Sequence, residues 1–143
     1  MHSRLLVLSM VFLLATTSFA AEWVTLGTNG KKETYSVDKE TISRKGELVT
    51  AWVKWQHIKP ETHYTPGTAS SLPRYEFVDY TLFQYEFDCR ELTVGVKMVV
   101  GYSEKNKKRV TSEKISLPSH EPVVPDSIAS QILKQVCDFT NAG

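Results

Sequence analysis

Hydrophobic and polar residues alternate along most of the chain, a period typical of extended strands rather than helices. The pattern predicts a first strand at Trp23 to Thr28 and a returning strand at Thr34 to Val37. The turn between them passes through Asn29-Gly30, a dipeptide common in hairpins. A single helical turn or tight bend is predicted over Asp38 to Ile42, followed by a second turn around Gly46. The beginning of this region is therefore expected to form a β-hairpin that leads into a larger sheet.

The longest alternating segments lie in the middle of the chain. Leu48 to Ile58 is rich in β-branched and aromatic residues, and its odd positions from Val49 to Trp55 are all apolar, so this face is expected to be buried. Lys59 to Arg74 is rich in proline, which predicts a long irregular connection. The next strand is predicted from Tyr75 or Glu76 to Cys89, and Cys89 shares a face with the odd-numbered aromatic residues before it.

Two further strands and one helix are predicted in the last third of the chain. Leu92 to Tyr102 has apolar residues at its even positions, and Arg109 to Ile115 makes a weaker last strand. Leu117 to Pro125 is too rich in proline for regular structure. After it, Asp126-Ser127 offers oxygen atoms that can cap a helix. At helical spacing, one side of that helix would carry Ile128, Ile132, Leu133, Val136 and Cys137.

Strands that follow one another without intervening helices indicate an antiparallel meander. The predicted fold class is therefore α+β, with a curved antiparallel sheet of about six strands and one C-terminal helix across its apolar face.

Residues 1–20 have the composition of a secretory signal peptide. Met1 to Arg4 hold the early positive charge, Leu5 to Leu14 form an apolar run, and Ala15 to Ala20 are small and weakly polar. The apolar run is too short to span about 30 Å of hydrocarbon. We therefore expect export through the Sec pathway, with cleavage after Ala20, to the periplasm, the outer surface or the medium. Residues 21–143 would then form one domain.

The two cysteines of the chain fit this compartment. In an exported domain two cysteines most often form one disulfide, because the surroundings are oxidising. A Cys89–Cys137 bond would close a loop of 48 residues and hold the helix on the sheet. The mature chain has a net charge close to zero, which argues against nucleic acid as a partner.

Groups with catalytic potential are few. Ser70 and Ser71 lack the GxSxG frame and are interpreted as loop serines. Glu86 and Asp88 share one strand face and are interpreted as its solvated side. No catalytic activity is therefore expected.

Three histidines remain after the signal segment. His57 and His63, with Tyr64, could ligate haem or a metal. Since no ligand spacing such as HExxH is present, they are interpreted as loop histidines without a ligand role. We expect no metal and no cofactor.

Trp52 has the opposite parity to the apolar residues of its strand, and Val78, Tyr80 and Leu82 lie on the face away from Cys89. The outer surface of the sheet could therefore carry an apolar patch of the kind that marks association sites. Two interpretations stay open. The patch supports dimerisation or partner binding, or long loops or the first strand cover it.

Three stretches carry a family resemblance: "TYSVDKETISRKGELVTAWVKW", "YEFDCRELTV" and "VVPDSIASQILKQVC". Together they resemble the surface-adhesin protein E family of Gram-negative bacteria. The resemblance implies a six-stranded antiparallel sheet with a helix tethered to its concave side by the disulfide. It also implies the function of an outer-surface adhesin that binds plasminogen and host glycoproteins such as vitronectin and laminin. A haem-binding role is also proposed for the family.

The resemblance places the binding stretch at about Leu72 to Leu92. Candidate binding residues are Arg74, Tyr75, Tyr80 and Leu82, together with Trp52 on the neighbouring strand. Because no cysteine precedes Cys89, a lipid anchor is not expected. The favoured interpretation is an exported, non-catalytic binding protein for host matrix or serum glycoproteins. The alternative is a periplasmic structural or interaction domain with bacterial envelope partners only.

Overall fold

The computed structural model describes residues 21–65 and 74–141, so the predicted signal peptide lies outside the described residues. All strand pairings are antiparallel. The predicted α+β fold, a sheet followed by one C-terminal helix, is confirmed. In chain order the elements are β1 (Trp23–Thr28), β2 (Thr34–Asp38), β3 (Ser43–Lys45), β4 (Leu48–Thr65), β5 (Arg74–Asp88), β6 (Thr93–Ser103), β7 (Lys108–Lys114), β8 (Glu121–Pro122) and α1 (Ile128–Asn141).

The main sheet has the order β1-β2-β4-β5-β6-β7. Two very short strands were not predicted from the sequence. β3 pairs with the start of β4, and β8 pairs with the start of β6 inside the proline-rich segment. The predicted bend after β2 is a 3-10 turn over Lys39–Thr41, capped by the Asp38 carboxylate, which accepts a hydrogen bond from the backbone N–H of Glu40 at 3.2 Å.

The core lies between the helix and the adjoining part of the sheet. Val49, Ala51 and Val53 of β4 are buried, as predicted, and Phe87 of β5 joins them. The helix contributes the residues expected from its spacing, namely Ile132, Leu133, Val136 and Cys137. The Cys89–Cys137 disulfide is present and holds the helix against the sheet beyond the end of β5.

The predicted long connection from Lys59 to Arg74 is wrong over much of its length. β4 continues to Thr65 and β5 already begins at Arg74, so residues 66–73 lie between them, outside the described residues. The register of β4 against β5 shifts between Gln56 and Glu61. Such a β-bulge accommodates Pro60, which has no N–H to donate to the ladder. The strand therefore passes the proline instead of ending there.

The predicted clean alternation of β6 is also wrong. Gln84 of β5 pairs with Met98, but the next residue, Tyr85, pairs with Val96, so Lys97 is an extra residue in β6. A bulge of this kind reverses the face on which later side chains lie, because directly paired residues share a face. Val96 consequently lies on the helix side, whereas Met98 lies on the opposite side.

Candidate functional site

The sheet has two different faces. The inner face carries the helix, and the outer face lies on the opposite side. On the outer face Trp23, Lys54, Tyr80 and Tyr102 form a continuous row that we call the outer strip. Lys54 Nζ lies 4.9 Å from the centre of the Trp23 ring and 5.7 Å from that of Tyr80. The rings of Tyr80 and Tyr102 stack with centres 5.3 Å apart. All four side chains are partly exposed.

Strand register explains why these residues meet. Tyr80 of β5 pairs with both Gln56 of β4 and Tyr102 of β6, and Lys54 pairs with Leu82. Side chains opposite each other in an antiparallel sheet share a face and touch. The outer strip is therefore assembled from four strands, β1, β4, β5 and β6.

The sequence-predicted site residues fall into two groups. Trp52, Tyr80 and Leu82 lie on the outer face, where Trp52 pairs with Gln84 and Leu82 with Lys54. Arg74 and Tyr75 begin β5 opposite the end of β4, but their side chains lie outside the described part of the structure. Tyr102 was not predicted as a member of the outer strip, because the bulge in β6 interrupts the alternation that would have shown its face.

Val78 does not belong to the outer face, contrary to the prediction. Its methyl carbons lie 3.2 and 3.3 Å from the point where a Cβ on Gly101 would stand. It lines an inner hollow of about 230 Å³ with Thr81 and Val99. The change of face occurs between Val78 and Tyr80, opposite the irregular register of β4.

The outer strip is partly desolvated. Burial raises the pKa of Tyr80, and the neighbouring Tyr102 and Glu104 raise that pKa further. The aromatic rings make most of this surface apolar, while the tyrosine hydroxyls and the ammonium group of Lys54 can still make polar contacts. Tyrosine and tryptophan are enriched at protein interfaces for this reason.

The acidic side chains along β5 are held by groups of the protein itself. Glu86 lies 3.0 Å from Lys97 Nζ and 3.4 Å from His120 Nε2. The Asp88 carboxylate accepts hydrogen bonds from two backbone N–H groups of the turn after β5. Asp79 accepts one at 2.7 Å from a backbone N–H at the end of β6. The acid-rich stretch of β5 therefore has much of its negative charge compensated locally.

The inner face carries a second aromatic surface beside the helix. Consecutive rings are in contact, with centres 5.3 Å apart for Tyr35 and Trp55 and 5.4 Å apart for Phe83 and Tyr85. A hollow of about 270 Å³ lies between these rings and the first turns of α1. Burial raises the pKa of Tyr85 to about 12, with a smaller contribution from Tyr35. This hollow is suited to an apolar group.

His57 is not a loop histidine. It is 7% exposed and packs against the Trp55 ring, with ring centres 5.4 Å apart. Its Nδ1 lies 3.7 Å from Glu33 Oε1 and 3.8 Å from Glu61 Oε1. The sequence did not reveal this cluster because Glu33 is distant along the chain and the bulge that brings Glu61 close leaves no periodic signal.

His63 pairs with Glu76 along the backbone and lines the same hollow as Glu61. The side chain of Tyr64, the third member of the haem or metal set considered from the sequence, lies outside the described residues. Within the described residues no helix is long and apolar enough to cross a membrane.

Comparisons with known proteins agree with this architecture. A family model described as surface-adhesin protein E matches residues 23–138. Among solved structures, crystal form II of Haemophilus influenzae protein E aligns with a TM-score of 0.60 at 13% identity, covering 81% of this chain and 87% of that one. Protein E from non-typeable Haemophilus influenzae aligns with a TM-score of 0.59 at 13% identity, covering 88% and 82%. Comparison with curated proteins finds no match.

Proposed function

This chain belongs to the surface-adhesin protein E family, and on that premise we propose that it is an exported, non-catalytic adhesin for host extracellular-matrix glycoproteins. In this proposal the outer face of the sheet is the binding surface. The single observation that carries it is the outer strip, in which three aromatic rings and the Lys54 ammonium form one partly exposed row.

The position of the outer strip supports its role as a contact surface. The helix packs on the inner face, where the core side chains lie, so the described part of the chain leaves the strip accessible. Trp52 and Leu82 extend its apolar area on the same face. Aromatic side chains supply large contact area with few rotatable bonds, and they dominate the binding energy of many protein interfaces.

Charge supports a protein partner over a polyanion. The full chain has a formal net charge of +1, and the cation within the strip, Lys54, lies against aromatic rings. Affinity for nucleic acid or heparin-like chains requires clusters of basic residues. A near-neutral aromatic face fits a folded glycoprotein surface better.

The proposed location is the outer surface, with residues 21–143 as the mature domain. In this arrangement a partner at the cell surface would hold the protein there. Protease added to intact cells should degrade a surface-held protein. Full protection together with release by periplasmic extraction would support the alternative of a bacterial envelope partner.

The binding proposal is tested with purified mature chain on immobilised vitronectin and laminin. The double variant Tyr80→Ala/Tyr102→Ala removes the stacked pair and should weaken binding at least tenfold, about 1.4 kcal/mol. Leu117→Ala is the matched control, because Leu117 is 90% exposed and lies on the segment between β7 and β8. It should bind as the parent does. Failure of the parent to bind either protein, or equal binding by the double variant, would overturn the proposal.

A further inference from the structure

Three side chains on the inner face form a compact group of metal-binding atoms. Glu33 comes from the turn that leads into β2, and His57 and Glu61 come from the irregular part of β4. One donor atom from each residue lies within 4.8 Å of the others. The group is separate from the outer strip, and metal binding there would not depend on matrix binding.

His57 points an unsatisfied nitrogen into this group. Its side chain is 2% exposed. Nε2 is hydrogen-bonded to Thr81 Oγ1 at 2.9 Å, which fixes the orientation of the ring. Among the described residues, the buried Nδ1 has no hydrogen-bond partner. A buried ring nitrogen without a hydrogen-bond partner is unusual in a folded protein, and this one is grouped with the carboxylate oxygens of Glu33 and Glu61.

The distances favour a shared metal ion over direct hydrogen bonds. Nδ1 lies 3.7 and 3.8 Å from the two carboxylate oxygens, beyond the range of an N–H···O bond. Two donor atoms bound to one tetrahedral zinc ion at its usual bond lengths lie about 3.3 to 3.6 Å apart. The observed separations are slightly longer, so a small movement of the carboxylates would place the three atoms around a common ion. The Glu61 side chain is 62% exposed, so it can rotate to complete the site.

The neighbouring residues hold the ligands as metal sites require. Asn29 Nδ2 donates a hydrogen bond to Glu33 Oε2 at 2.7 Å, which leaves Oε1 directed at His57. Thr81 likewise orients the imidazole of His57 through its hydrogen bond with Nε2. Such outer contacts orient ligands and strengthen metal binding.

We propose that Glu33, His57 and Glu61 form a binding site for a divalent transition metal of the zinc type. One imidazole and two carboxylates favour zinc and its neighbours over magnesium and calcium, which prefer oxygen ligands alone. Three protein ligands leave the fourth position to water. The ion would connect the β1–β2 hairpin to the bulge of β4. This proposal differs from the sequence-based expectation of no metal.

Calorimetric titration of the EDTA-treated mature chain with zinc chloride alone tests the proposal. The parent should bind one zinc ion, and zinc should raise its melting temperature because it binds the folded state. Glu61→Gln should bind at least tenfold more weakly and lose the thermal shift. Because Glu61 is exposed, this variant should fold normally even if His57→Gln does not.

His120→Ala is the matched control, since His120 also contacts a glutamate, Glu86, at 3.4 Å. It should bind zinc as the parent does. No zinc binding by the parent, or equal binding by Glu61→Gln, would overturn the site. Loss of binding in His120→Ala would also overturn it.

Discussion

The ammonium group of Lys54 lies 4.9 Å from the centre of the Trp23 ring, between β4 and the edge strand β1. Lys54→Met keeps most of the aliphatic stem but removes the charge, so it should lower the free energy of unfolding by about 0.5 to 1 kcal/mol. Urea unfolding followed by tryptophan fluorescence measures this change. Lys134→Met, at an exposed position on the helix, is the control and should change stability by less. Equal effects of the two variants would show that the cation–π contact contributes nothing specific.

The disulfide should provide a large share of the stability. Cys89 and Cys137 are 48 residues apart, and cross-linking a loop of this length restricts the unfolded chain by about 4 kcal/mol in the chain-entropy model. Cys89→Ser/Cys137→Ser should lose stability of that order in urea. A reducing agent should destabilise the parent equally and leave the double variant unchanged. A midpoint unaffected by reduction would contradict this account.

Gly101 has no room for a side chain. A Cβ there would lie 2.9 Å from Thr111 Cγ2 and 3.2 Å from a methyl carbon of Val78. Both neighbours are β-branched and stiff, so Gly101→Ala should destabilise the protein by about 1 to 3 kcal/mol. Gly30→Ala is the matched control, because a Cβ there meets nothing within 4 Å. Thermal unfolding should separate the two variants clearly.

Alkaline pH should weaken the fold through Tyr85. Its pKa in the folded protein is raised from 10.0 to about 12 by burial, so the unfolded chain loses this proton first as pH rises. The contribution is intact below pH 10 and is lost between pH 10 and 12, by up to about 3 kcal/mol. Tyr85→Phe should flatten this decline in urea unfolding measured across the range. An unchanged slope would mean that Tyr85 is not the group responsible.

Self-association through the outer face is a further prediction. If Trp52 supports a dimer, sedimentation should show a concentration-dependent dimer that Trp52→Ser weakens. Phe77→Ser is a useful comparison, because Phe77 is 54% exposed on the same strand as Tyr80. A parent that stays monomeric at all concentrations, or a dimer insensitive to Trp52→Ser, would contradict self-association through Trp52.

The parts of the fold that depend on local periodicity were predictable from the sequence. The alternation around Val49 to Val53 identified the buried face of β4, and helical spacing identified Ile132 to Cys137. The two cysteines were enough to predict the bond between helix and sheet, since only one intramolecular pairing exists. The first two features depend on a pattern within a short stretch of chain, and the third depends only on the number of cysteines.

The bulges were not predictable, and they decide the candidate sites. The extra residue at Lys97 moved Met98 and Tyr102 to the outer face. The irregularity after Gln56 carried β4 past Pro60 and brought Glu61 beside His57. A bulge cannot be predicted from the alternation of apolar and polar residues, because the extra residue interrupts that alternation. The tertiary contact of Glu33 with His57 was equally invisible, since it joins two strands that only the fold brings together.

The last strand of the main sheet, β7, has an edge that is poorly suited to pairing with a strand of a second molecule. Its free side offers a ladder of backbone groups, but the strand carries exposed Lys108, Arg109 and Lys114. Charged edges of this kind repel strand addition and so protect a sheet against continuous growth. The charges on β7 therefore disfavour the addition of further strands at this edge, whereas the outer strip lies on a face of the sheet and is not affected by them.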